Sequence, residues 1–184
     1  MSKKKIAGLL CSAIVSDTLL FRSPTCTPVD EMAARSLAAI AGLDIEKYAM
    51  EMFGAGSNLK DRSEEEIFYQ DFKRFTAGKV MIGVGQITSL NGGELEGLKH
   101  RMPEFMEKAR EGSGLDMVFF MLTNILTEST DLICQGQGAV QLAAKAFHLD
   151  LEEATQKEEP ILNLPGVVSR KKQLIPELML AEQD

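Results

Sequence analysis

Over residues 6–53 the apolar side chains recur three and four apart, whereas at Val80, Ile82 and Val84 they recur two apart. Three-four spacing gathers residues on one helix face and two-spacing gathers them on one face of a strand. The chain is therefore expected to begin as helices and to continue as a mixed α/β unit. The small, polar segment Gly54-Ala55-Gly56-Ser57-Asn58 lies between the two regimes and is the natural linker.

Local signals sharpen both halves. Ile6, Leu9, Leu10, Ala13, Ile14 and Leu20 predict a buried helix over 6–21, stopped by Ser23-Pro24-Thr25. Thr27, Pro28 and Asp30 form a helix start with a capping box, and Gly42 is its natural stop. Asp44 caps a short helix through Phe53, and Ser63 with Glu66 is a second capping box. Asp71–Phe75 and the Val80–Ile87 stretch predict a hairpin turning at Thr76-Ala77-Gly78. Residues 92–111 carry an amphipathic stripe in which Pro103 predicts a kink or a later start. Strands are expected at 115–124 and 130–134, the first so apolar that both its faces should be covered. Gly138–Phe147 reads as a helix, residues 152–159 as an exposed acidic stretch, and a last helix is expected from Pro176.

Composition excludes several classes of function. With 20 Lys+Arg against 27 Asp+Glu in 184 residues the net charge is -7, which disfavours a nucleic-acid binder. No apolar run reaches the length of a membrane span. Cys11, Cys26 and Cys134 are scattered and odd in number, as in a reduced, cytoplasmic protein. The two histidines, His100 and His148, are too few for a His-rich metal centre built by this chain alone, and neither they nor Cys134 has a partner spacing. The lone Gly-x-Gly at 83–85 is a very weak nucleotide fingerprint.

Two places break local rules. Asp17 sits in an apolar run, and a buried unpaired carboxylate is costly. It either faces water where the helix ends or projects as a metal ligand. Ser169-Arg170-Lys171-Lys172-Gln173 places three cations between Val167-Val168 and Leu174-Ile175. That string is either a solvated basic loop or, held on rigid flanks, an anion grip with an Arg fork and Lys point charges. In Asp71-Phe72-Lys73-Arg74-Phe75, alternation puts Asp71, Lys73 and Phe75 on one face. Lys73 is then a weaker anion-binding candidate or an ordinary edge-strand lysine.

Three segments together resemble a known family. IAGLLCSAIVSDTLLFRSPTCT with AGLDIEKYAMEMFGAG, then DFKRF before KVMIGVGQI, then GVVSRKKQLIP occur in the order and spacing seen in manganese-dependent (family II) inorganic pyrophosphatases of the DHH phosphoesterase superfamily. The resemblance runs from Ile6 to about Leu180. It implies a helical remnant of the N-terminal DHH domain at 1–56, a hinge at 57–61, and a mixed-sheet substrate-binding domain at 62–184. It implies Asp17 as a metal ligand, and Lys73, Arg170 and Lys171 as pyrophosphate-binding cations, with Ser169 beside them. It also implies Mn²⁺, with Co²⁺ or Mg²⁺ as alternatives, and hydrolysis of pyrophosphate by a metal-activated water.

The family's His-x-x-x-Asp-x-Asp ligands and its Asp-His-His motif have no counterpart in these residues. The chain thus resembles the C-terminal, phosphate-clamping portion of such an enzyme, and is expected to be inactive without the N-terminal DHH domain. That domain, pyrophosphate or phosphate, and a second copy docked on the 6–21 face are the implied partners. A polyphosphate hydrolase domain and a non-catalytic anion-binding module are the alternative readings.

Overall fold

The computed structural model describes residues 2–56, 59, 61–155 and 160–183. They fall into two compact units, divided between Asn58 and Leu59.

The first unit is three helices: α1 (Lys3–Thr18), α2 (Pro28–Ala41) and α3 (Ile45–Gly56). Thr27 and Asp30 close the capping box of α2, and Asp44 Oδ1 accepts the Lys47 amide at 3.0 Å to start α3. The core is Cys11, Val15, Leu20, Ala34, Ala38, Ile45 and Ala49. Small residues on α2 let α1 approach closely, so the Cys11 thiol reaches the Ala34 carbonyl at 3.6 Å.

Helix α1 departs from expectation in two ways. It is not buried all round: Ile6, Leu9 and Leu10 are 43%, 60% and 52% exposed, a second apolar stripe opposite the core. It also stops at Thr18, where Leu19, Leu20 and Phe21 turn left-handed (φ 50°, 50° and 68°). Each such non-glycine residue costs roughly 1–2 kcal/mol. Bonds from Leu20 N to Val15 O (3.0 Å) and Ser23 N to Thr18 O (2.8 Å) hold the turn. The expected linker at 54–58 is partly helical, because α3 continues through Gly56. Ser57 and Asn58 lie outside the described residues, as does Lys60 of the 57–61 hinge. Leu59, in the middle of that hinge, is 1% exposed and belongs to the core of the second unit.

The second unit is a five-stranded sheet in sequential order: β1 (Phe72–Ala77), β2 (Val80–Ser89), β3 (Met117–Asn124), β4 (Ser129–Gln135) and β5 (Ile161–Pro165). Only β2 and β3 run parallel, joined across one face by α5 (Gly92–Ser113). The same face carries α4 (Glu64–Gln70), and its core includes Phe68, Phe120, Leu98, Met102 and Met106. The other face carries α6 (Ala139–Ala146), α7 (Leu151–Thr155) and α8 (Ile175–Gln183) over Val84, Phe119, Met121, Leu132 and Leu164. Both faces of β3 are thus covered, as its continuous apolar run requires.

Four expectations need correction. The hairpin turns at Gly78-Lys79, not one step earlier, because Gly78 supplies the positive φ (58°) that a tight turn uses. Of the two effects expected of Pro103, the later start does not occur: α5 begins at Gly92, with Asn91 as its cap. Full burial of Met102 and Met106, roughly 1.5–3 kcal/mol each, offsets the proline's cost of about 3 kcal/mol. Strand β5 was not anticipated: it is short and ends at Pro165 on the sheet edge. The last helix begins before Pro176, at Ile175, and is preceded by a π-helical turn over Arg170–Leu174. Within the acidic stretch Glu152 and Glu153 are exposed in α7, and residues 156–159 lie outside the described residues.

Candidate anion site

The basic string is neither a free loop nor a strand extension. Val167 and Val168 are buried (8% and 4% exposed), and the chain then enters the π-helical turn. Ser169 caps it: its hydroxyl accepts the Lys172 amide at 3.3 Å, and its carbonyl accepts Gln173 N and Leu174 N at 3.0 and 3.2 Å. Ile175 N–H closes the wide turn onto Arg170 O. At the start of such a turn the amides of Arg170 and Lys171 have no intrahelical acceptor. Three cations at the positive end of a helix are electrostatically unfavourable unless an anion is near.

Gln173 folds back and staples the entry. Its Oε1 accepts Val168 N (2.9 Å) and Ser169 N (3.0 Å), and its Nε2 donates to Gly166 O (2.7 Å). Beneath it a polar chain runs through the sheet. Gln86 Nε2 donates to Val168 O (3.0 Å) and to Thr123 Oγ1 (3.2 Å). The Thr123 and Thr130 hydroxyls lie 2.9 Å apart, and Thr130 Oγ1 donates to Val167 O at 2.6 Å. Both threonines are fully buried, so these bonds also satisfy groups that would otherwise be costly.

Arg170 reaches across to Asp71, the residue just before the edge strand β1. Its Nη1 donates to Asp71 O (2.6 Å) and more weakly to Val84 O (3.4 Å), and its Nη2 donates to Asp71 Oδ1 (2.8 Å). The side chain is 12% exposed. Lys73 pairs with Val84 in the β1–β2 register, which puts it, as alternation predicts, on the face that carries the π-helical turn. Lys73 and Lys171 are exposed, and among the described residues neither has an ion pair, nor do Arg74 and Lys172. Around this turn, then, Arg170 is fixed by internal bonds while Lys73, Lys171 and Lys172 stay exposed.

Asp17 lies in the first unit, exposed at the end of α1, its carbonyl accepting Thr25 Oγ1 at 3.4 Å. The left-handed run Leu19–Phe21 follows at once, a costly backbone of the kind found at functional sites. Among the described residues no three His, Cys, Asp or Glu side chains gather as a metal ion requires. Asp17 offers one carboxylate, and the described residues do not fit a two-metal centre. The Gly83-x-Gly85 pair is a packing feature: a Cβ at Gly83 would stand 2.5 Å from Phe72, and one at Gly85 2.5 Å from Phe120. Sequence reasoning missed Gln86, Thr123 and Thr130, gave Gln173 no role of its own within the basic string, and passed over Asp71 as an ordinary strand residue. Two threonines and a glutamine at inward positions of otherwise apolar strands were the available signal.

Relatives agree on one family. The chain is 45% identical to a cobalt-dependent inorganic pyrophosphatase of Clostridium perfringens over 95% of its own length, but only 31% of that protein's. It is 43% identical to a probable manganese-dependent inorganic pyrophosphatase of Clostridium acetobutylicum over 97% of its length and 55% of the relative's. It thus spans about a third to a half of these proteins. A solved structure from Methanococcus jannaschii, provisionally assigned to the family II inorganic pyrophosphatases, superposes with a TM-score of 0.84 at 36% identity, covering 100% of this chain and 58% of the other. Residues 50–181 match the DHHA2 domain, and the chain belongs to the DHHA2 domain family.

Proposed function

We propose that this chain is the phosphate-clamping part of a manganese- or cobalt-dependent inorganic pyrophosphatase, acting in the cytoplasm and hydrolysing pyrophosphate to two phosphates. The observation that carries this reading is the placement of unpaired Lys73 and Lys171 on the sheet face of the π-helical turn, beside Arg170, in a DHHA2 domain. Two exposed ammonium groups and the open amides of the turn suit an anion with two phosphoryl groups. Asp17 supplies one carboxylate to a metal site completed by residues beyond this chain. A metal ion held in part by Asp17 would supply Lewis-acid activation of a water. This chain's own part is to bind the anion and to neutralise charge on the leaving phosphate.

Calorimetry with pyrophosphate tests the site. Binding is expected to weaken with added salt, and Lys171→Ala or Lys73→Ala should each weaken it about tenfold. Unchanged affinity in both variants would remove the site. The isolated chain with Mn²⁺ should not turn over pyrophosphate, because a lone carboxylate cannot hold two ions. Turnover by a sample free of contaminating enzyme would refute that. The exposed Ile6, Leu9 and Leu10 stripe is the face that a preceding domain or a second copy of this chain would cover. Sedimentation should show concentration-dependent association that Leu9→Glu abolishes. A monomer at all concentrations would exclude the second copy.

A further inference from the structure

Asp71 has no assigned role, yet it makes the most committed polar contact around the cationic cluster. It binds Arg170 twice, through its carbonyl at 2.6 Å and its carboxylate at 2.8 Å. The carbonyl of Val84, the strand partner of Lys73, takes a third, longer bond at 3.4 Å. A guanidinium has five N–H donors, so these bonds leave Nε and part of Nη2 available. Asp71 is also two residues from Lys73, while Arg170 immediately precedes Lys171. One ion pair therefore ties the residue just before β1, the strand that carries one exposed lysine, to the turn that carries the other, and the two lysines are 98 positions apart in sequence.

Building on the anion-site reading above, we propose that Asp71 is a positioning residue for anion binding: by holding the Arg170 fork it sets Lys73 and Lys171 at the spacing that grips one anion between them. The sign of the effect separates this from ordinary electrostatics. A carboxylate close to a cationic site repels an anion, so deleting its charge should by itself strengthen anion binding. If Asp71 positions the cations, deletion weakens binding instead.

The test uses this chain with sodium pyrophosphate as probe, the variants Asp71→Ala and Asp71→Asn, calorimetry at low salt, and the Arg170 Nε–Hε resonance in a ¹⁵N spectrum. Asp71→Asn keeps an oxygen acceptor for Nη2 and is close in shape, which guards against a folding artefact. Asp71→Ala should lower affinity about five- to tenfold and broaden the Arg170 resonance through freer rotation. Asp71→Asn should keep the resonance sharp and bind at least as tightly as the parent. Tighter or unchanged binding by Asp71→Ala would overturn the proposal and leave the anion site standing. An equal loss in both variants would overturn it too, since position without charge would then be insufficient. If the parent itself does not bind pyrophosphate, the anion-site reading fails first, and the proposal falls with it.

Discussion

Gln173→Ala asks whether the geometry of the basic turn is built by one side chain. The amide of Gln173 makes three bonds to the chain before the turn: Val168 N at 2.9 Å, Ser169 N at 3.0 Å and Gly166 O at 2.7 Å. The two bonds to amides are part-buried and contribute about 1 kcal/mol each, and the exposed one to Gly166 about 0.5 kcal/mol. Truncation also strands the N–H of Val168, which is 4% exposed. The expected loss is roughly 2–3 kcal/mol. That lowers the urea midpoint by roughly 1–1.5 M at an m-value of about 2 kcal/mol/M. Tryptophan is absent, so far-UV dichroism should follow the unfolding. Hydrogen exchange at Val168 N–H should accelerate beyond the global change, since its acceptor is gone. A Gln173→Ala variant within about 0.5 kcal/mol of the parent would refute the staple. It would mean that Thr130 on Val167 O and Gln86 on Val168 O suffice to hold the entry.

Gly85→Ala should destabilise by roughly 1–3 kcal/mol, because the new methyl meets Phe120 at 2.5 Å and Phe68 O at 3.3 Å; an unchanged melting temperature would show that the aromatic layer yields freely. Acid should weaken the helix starts. Bonds from the Ser63 amide and hydroxyl hold Glu66 below the ordinary carboxylate range, and the Thr27 hydroxyl and amide do the same for Asp30. A carboxylate whose folded pKa is depressed stabilises fully above its unfolded value and loses that contribution as pH falls through the folded one. The melting temperature should therefore decline below about pH 4.5, and Glu66→Gln should flatten part of the slope. A profile that stays level to about pH 3 would contradict the capping boxes.

Features that depend on a few neighbouring residues were legible in the amino-acid order. Thr27-Pro28-x-Asp30 and Ser63-x-x-Glu66 cap helices as written, because each box is closed within four residues. The period of two at Val80–Val84 announced β2, and the unbroken run at 117–122 announced a strand buried on both faces. Failures came where a distant partner outweighs a local rule. Pro103 is tolerated because α5 packs Met102 and Met106 against the sheet, and α1 is half bare because its second stripe lies outside the core of its unit.

The same division holds at the site. The string Ser169–Gln173 and Lys73 stood out as cations among apolar neighbours, so charge and spacing sufficed to nominate them. The order of residues left open whether the string was a loop, and it carried no sign that Arg170 is committed to Asp71 while Lys73 and Lys171 stay exposed. Helix caps, strand period and the inventory of charge are short-range properties that side-chain chemistry decides locally. Which cation is bonded to the protein and which stays exposed depends on β1–β2 register and on the closure of a turn some hundred residues later. Those are set by burial of the two apolar faces of one sheet, which only the assembled fold can supply.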